Sequence, residues 1–169
     1  MEIRKGKVFF VVGHRTWGKS RTLQALMKRS RKRRIIIKKA EFFIRSMSND
    51  DEPGKFSKFS KFSKFLNGLN PSRKPYLIAA LCPKFDERST NTNKPSTEKM
   101  LQQLRKKYKL FFFVLVHQWH EKGNDRISKS EIKKLKKFGE VKLHSANDKR
   151  DKANITRAQK LREYIENKL

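Results

Sequence analysis

The chain has 169 residues, a single cysteine (Cys82), and 44 Lys and Arg against 16 Asp and Glu, giving a formal net charge of +28. That length fits one domain spanning residues 1–169 around one buried core, and a lone cysteine excludes an internal disulfide. No apolar run approaches the roughly 18 residues of a membrane span, and residues 1–6 lead into no secretory h-region, so a cytoplasmic address is expected. The charge excess points to a polyanionic partner such as RNA, DNA, the ribosome or an anionic surface. Its densest runs are residues 28–34, 105–107 and 133–137. Solvated helix faces in a lysine-rich chain would also account for such runs.

In chain order, residues 7–12 (Lys-Val-Phe-Phe-Val-Val) form a short apolar run suited to a buried strand. Gly13-His14-Arg15-Thr16-Trp17-Gly18-Lys19-Ser20 follows at once and fits G-x-x-x-x-G-K-[ST], the phosphate-binding P-loop, without a mismatch. Residues 21–28 are rich in helix formers, which completes strand, loop and helix. In this context the glycines let backbone N–H groups turn toward phosphate oxygens, and the helix N-terminus adds partial positive charge. Lys19 is expected at the β- and γ-phosphates and Ser20 on Mg²⁺. The candidate nucleotide-binding set is therefore Gly13, His14, Arg15, Thr16, Trp17, Gly18, Lys19, Ser20 and Arg21. Lys19 and Arg15 are the catalytic candidates, Arg15 as an arginine finger supplied in cis. The side chains of His14, Arg15 and Trp17 project from the loop on this reading; simple exposure to solvent is the alternative.

Residues 33–39 and 41–47 read as two strands of a hairpin or one long bent strand. The polar stretch 48–54 then sits at a strand's carboxyl end, the edge where open α/β sheets bind ligands. Asp50 or Asp51 there is a candidate to hold Mg²⁺ through water, although a solvated turn accounts for these aspartates equally well. Residues 55–65 repeat Lys-Phe-Ser. On a helix that period sweeps the phenylalanines over a broad face, expected to pack on the sheet, with base stacking or a membrane interface as alternatives.

Residues 70–75 break the chain before a strand at 76–82, in which Cys82 reads as a small core residue. A helix is expected from a Ser96 cap to about Tyr108. The most apolar strand, residues 109–116, is expected at the centre of the sheet. A lysine-rich helix at 128–138 ends at Gly139, a short strand covers 141–144, and a terminal helix covers 155–169. His117 and His120 have metal-like spacing only if helical, and a structural or base-contact role is expected instead. The alternation of strands and amphipathic stretches predicts an α/β, three-layer sandwich with a mostly parallel sheet of five to six strands.

The P-loop, a hairpin-like second and third strand and three further strand–helix units occur in an order that resembles the Ras-like small GTPases of the P-loop NTPase class. The resemblance covers nearly the whole chain. It implies that the base is read after two later strands, here at Val116-His117-Gln118-Trp119-His120 and at His144-Ser145-Ala146-Asn147. The second stretch is similar to that family's short Ser-Ala motif. The base-contact candidates are thus His117, Gln118, Trp119, Ser145, Ala146 and Asn147, with Trp119 stacking and Gln118 hydrogen-bonding an edge. Where the family carries Asn-Lys-x-Asp this chain has His-Gln-Trp-His, and the Asp-x-x-Gly that senses γ-phosphate is missing, so GTP and ATP both stay open. The implied function is an Mg²⁺-dependent nucleotide-binding protein, a slow or partner-activated NTPase whose basic surface contacts a polyanion. A nucleotide or small-molecule kinase, with its acceptor near Asp50, Asp51 or Arg88, is one alternative. A non-catalytic nucleic-acid-binding module with a vestigial P-loop is the other.

Overall fold

Strand β1 (Gly6–Val12) is buried along nearly its whole length because parallel strands join it on both sides and helices cover both faces. The fold was obtained as a computed structural model and is described for residues 5–28, 33–46, 48, 68–85, 97–118, 126–145 and 150–169. The other strands are β2 (Arg34–Ile37), β3 (Ala40–Arg45), β4 (Tyr76–Leu81), β5 (Tyr108–Leu115) and β6 (Glu140–His144). Together they form one six-stranded sheet in the order β2-β3-β4-β1-β5-β6. Every neighbour pair is parallel except β2 with β3. Four helices lie among the described residues: α1 (Lys19–Leu26), α2 (Thr97–Lys107), α3 (Lys129–Lys136) and α4 (Arg150–Glu166).

Alternate residues of β1 serve opposite faces, as strand geometry requires. On one face Phe9 stacks on Phe111 of β5 at 4.7 Å between ring centroids and meets Tyr164 of α4 edge-on at 6.1 Å. On the other, Phe10 stacks on Phe112 at 5.6 Å, and Val8, Phe10, Leu77 and Ala79 lie beside Met100 and Leu104 of α2. Helices on both faces make the α/β architecture compatible with a three-layer sandwich. A fully buried phenylalanine contributes about 1.5–3 kcal/mol, so these stacked pairs anchor β1 against β5.

Several elements depart from the sequence expectation. The most apolar strand, β5, is not central: it lies between β1 and the edge strand β6, while β4 and β1 hold the middle. Its apolarity reflects cover on both faces rather than rank in the sheet. The stretch after α1, by contrast, forms the hairpin that was one of its two expected readings, closed by Lys38 and Lys39 with φ of 45° and 68°. Two left-handed residues in a two-residue loop match the right-handed twist of the flanking strands. Lys38 Nζ donates to Glu166 O at 2.9 Å, which ties this turn to the end of α4. α4 itself starts at Arg150 rather than near residue 155. Its first turns bury Ala153, Asn154 and Arg157, a mixed stripe with no apolar period to read.

α3 matches its sequence signal closely. Ser128 Oγ accepts from Glu131 N at 3.1 Å, and Ser128 N donates to Glu131 Oε2 at 2.8 Å, a complete capping box. Just beyond it, a Cβ on Gly139 would stand 2.1 Å from the carbonyl oxygen of Leu110, so only glycine lets the chain pass β5 there. The Lys-Phe-Ser repeat at 55–65 and the Ser96 cap lie outside the described residues.

Candidate functional site

The carboxyl ends of β1, β4, β5 and β6 lie on one edge of the sheet, and the loop from Gly13 to Gly18 crosses that edge into α1. Gly13 N donates to Leu81 O of β4 at 3.1 Å, so the loop leaves β1 without a break in the ladder. A Cβ on Gly13 would come within 3.3 Å of Trp17 Cβ and 3.5 Å of Leu115 Cδ1. The loop turns at Thr16, with φ of 65°, and again at Gly18, with φ of 84°. Gly18 is also the N-cap of α1. It offers no side-chain acceptor, and no acidic residue sits in the first turn. A helix start of this kind leaves its N–H donors to be satisfied from outside the helix.

The Lys19 ammonium folds back into the loop and donates to Gly13 O at 2.7 Å and His14 O at 2.8 Å. The residue is only 7% exposed. Ser20 Oγ donates to Ser46 O at 2.9 Å, which brings the chain just past β3 against the first turn of α1. Asp50 follows four residues later in sequence, outside the described residues. Arg15, Thr16 and Arg21 are exposed, and Thr16 Oγ1 donates to Arg15 O at 2.6 Å.

Two side chains of the loop point inward. Trp17 is 3% exposed and belongs to the hydrophobic core, so its indole neither projects toward a ligand nor faces solvent. His14 meets the Trp17 ring edge-on at 5.0 Å, and its Nε2 lies 3.2 Å from Glu131 Oε1 and 3.3 Å from Oε2. That geometry requires a proton on Nε2. Glu131 therefore caps its own helix and holds the P-loop histidine with one carboxylate.

A further arginine organises the site from behind. Arg157 of α4 is 1% exposed; its Nη1 donates to Trp17 O at 2.8 Å and its Nη2 to His117 O at 2.9 Å. One guanidinium thus binds the backbone of the P-loop and the backbone at the end of β5. Burial lowers its pKa to about 10, still well above neutrality, so the group is cationic at pH 7.

The predicted base-contact stretches begin at this same edge. His117 and Gln118 are half-buried after β5, and His117 is bridged to Arg126, whose guanidinium lies 3.3 Å from Nε2 and 3.4 Å from Nδ1. Ser145 is exposed after β6. Trp119, Ala146 and Asn147 lie outside the described residues. Sequence reasoning missed Arg157, Glu131 and the Ser46 carbonyl. Only Glu131 carried a visible signal, its S-x-x-E spacing from Ser128. Among the described residues no group of three or more His, Cys, Asp or Glu is placed to hold a metal, and no helix is long and apolar enough to cross a membrane. No protein-family model, curated protein or solved structure matches this chain.

Proposed function

We propose that the chain binds a nucleoside triphosphate with Mg²⁺ at the loop formed by residues 13–20, and that its basic surface contacts a polyanion. The observation that carries this reading is the loop itself. A G-x-x-x-x-G-K-[ST] sequence enters an uncapped helix N-terminus through a left-handed Gly18, with the Lys19 ammonium enclosed by loop carbonyls. The α1 N-terminus favours negative charge, and a phosphate would offer the ammonium a stronger, charge-assisted acceptor than the two neutral carbonyls do. Lys19 would then serve the β- and γ-phosphates, and the Ser20 hydroxyl would join a metal held mainly by phosphate oxygens and water, the usual manner of Mg²⁺. The bound metal would neutralise charge developing on the phosphates. Asp50 remains the candidate to hold it through water, because the chain leaves β3 beside Ser20 before reaching that residue.

Slow or partner-dependent turnover fits the polar groups gathered here. Among the described residues Glu131 is the carboxylate brought to the loop, and it is engaged by His14 and by its own helix cap rather than left to orient a water. Arg15, exposed on the loop, is the candidate to stabilise transition-state charge. Calorimetry with Mg²⁺-ATP and Mg²⁺-GTP tests the reading. Wild-type protein should bind at least one of them, and Lys19→Ala should abolish that binding. No heat of binding with either nucleotide would refute it. Nucleoside diphosphate released in water alone identifies an NTPase, and release only with an acceptor identifies a kinase. Binding without turnover identifies a nucleotide-responsive module.

A further inference from the structure

The five parallel strands all start at one edge of the sheet, opposite the P-loop, and each is entered through basic residues. Lys5 precedes β1, Lys38 and Lys39 precede β3, Arg73 and Lys74 precede the start of β4, Arg105, Lys106 and Lys107 precede β5, and Lys136 and Lys137 precede β6. Lys109 adds an exposed charge at the foot of β5. These segments form a connected rim. Lys5 Nζ donates to Arg105 O at 3.3 Å, Arg105 Nη1 to Lys137 O at 3.1 Å, and Lys107 Nζ to Leu69 O at 3.3 Å. The Tyr108 hydroxyl donates to Lys74 O at 3.1 Å.

One feature makes this rim more than a solvated face. The carboxylates at this end are already neutralised among the described residues: Glu41 by Arg34 at 3.6 Å, Glu140 by Lys168 at 2.8 Å and Glu166 by Arg162 at 3.1 Å. Several rim cations donate to backbone carbonyls rather than to carboxylates. Adjacent strands lie about 4.8 Å apart, so the row from β3 to β6 spans about 19 Å. A duplex presents one phosphate charge per roughly 1.7 Å of axis, or about 11 along that row.

We propose that this amino edge binds the phosphate backbone of a nucleic-acid duplex, independently of sequence. The inference rests on the polyanion part of the preceding reading and not on nucleotide binding. Most of the rim is lysine, a compact point charge that suits phosphate and carries no base code. The large hydrophobic side chains exposed among the described residues are Ile36, Leu143, Ile155 and Leu169. None of these is an aromatic platform for stacked bases, so the described rim meets phosphates rather than bases; the Lys-Phe-Ser repeat lies outside the described residues.

The test is fluorescence anisotropy with labelled RNA and DNA duplexes of mixed sequence, titrated between about 50 and 200 mM salt. One variant replaces Lys106, Lys109, Lys136 and Lys137 with Gln. A charge-matched control replaces Lys99, Lys129, Lys152 and Lys160. All eight are exposed, so both variants should keep the wild-type circular dichroism and melting temperature. The rim variant should lose tenfold or more in affinity, and its log–log salt slope should flatten by about 0.9 for each lysine that meets a phosphate, up to about 3.6. The control should lose far less. Equal loss in both variants would overturn the proposal, because net charge alone would then explain binding. So would wild-type protein that binds phosphatidylserine vesicles but neither duplex. Lys19→Ala should leave duplex binding unchanged, and the rim variant should keep its nucleotide calorimetry, so either reading can fail without the other.

Discussion

Arg157→Met is the perturbation that most directly probes how the P-loop is held. Methionine keeps much of the aliphatic length and removes the guanidinium, so the cavity left is small and the loss falls on two hydrogen bonds. Those bonds, at 2.8 Å to Trp17 O and 2.9 Å to His117 O, have a charged donor. Each such bond contributes about 1.5–3 kcal/mol, which sets a ceiling of about 3–6 kcal/mol for the pair. Two effects reduce that figure. The variant no longer desolvates a cation, the cost that lowers the arginine's pKa to about 10. The bond to His117 O is also only partly buried, so water can replace the lost donor there.

A net loss of about 2–4 kcal/mol remains, against a total stability of about 5–15 kcal/mol for a domain. At about 2–4 °C per kcal/mol for this size, the melting temperature should fall by about 4–16 °C. Thermal and guanidinium unfolding followed by circular dichroism would measure it. Arg157→Lys keeps the charge but not the two-pronged geometry, and should fall between wild type and Met. Because the guanidinium binds the loop through its backbone, nucleotide affinity should weaken in the same order. An Arg157→Met protein that melts within about 1 °C of wild type would refute the claim that this group secures the loop.

Two further outcomes follow from the same structure. Gly18→Ala places a side chain at φ of 84° and should cost about 1–2 kcal/mol in chemical denaturation while weakening nucleotide binding; unchanged affinity would show that the left-handed turn is not needed for the site. Alkali should destabilise the fold from about pH 10 upward. Burial holds the Tyr108 hydroxyl protonated up to about 12, and burial, the charge of Glu140 and a 3.2 Å hydrogen bond to it raise the pKa of Tyr164 further. Groups with raised folded pKa values stabilise below their unfolded pKa and lose that contribution as pH climbs through the folded one. Arg157, whose pKa is lowered, acts in the opposite sense over the same range, so two protons retained oppose one released. Tyr164→Phe should therefore flatten the alkaline limb of stability against pH, and an unchanged limb would count against this account.

Most of the strands and helices were legible in the sequence because their signals are local. The run at residues 7–12, the S-x-x-E box of α3 and the glycine after it each state their conformation within a few residues. The strand order was not legible: the chain inserts β4 between β3 and β1, and nothing in the apolarity of β4, β1 and β5 distinguishes their neighbours. The hairpin turn was ambiguous for a related reason, since Lys38 and Lys39 take left-handed conformations that Asn-Gly would have advertised. At the site, the loop was legible and its support was not. Arg157 stands in the sequence as one basic residue among 44. Its role comes from packing α4 against α1, which places a long-range contact beyond any local pattern.

That support explains how a strained loop persists. Thr16 and Gly18 both hold positive φ, and Thr16 pays a steric cost that glycine does not. Such a conformation survives only where surrounding contacts determine it from several directions. Here β4 fixes the loop's entry through Leu81 O, α4 fixes its middle through Arg157, α3 fixes His14 through Glu131, and Lys19 closes it from within. The Ser20 hydroxyl then docks the first turn of α1 on the chain leaving β3. The loop is therefore anchored by elements from most of the sheet, and a shift in α3 or α4 would be felt at the loop backbone without any contact to a phosphate. A polyanion on the opposite edge reaches the same helices, since α3 ends in the basic rim at Lys137 and the C-terminal end of α4 is tied to Lys38 and Lys7. Coupling between the two edges requires the polyanion to bind one arrangement of these helices more tightly than another. If it does, nucleotide affinity at the loop and duplex affinity at the rim must change by the same factor, and titrating each ligand in the presence of the other measures that factor directly.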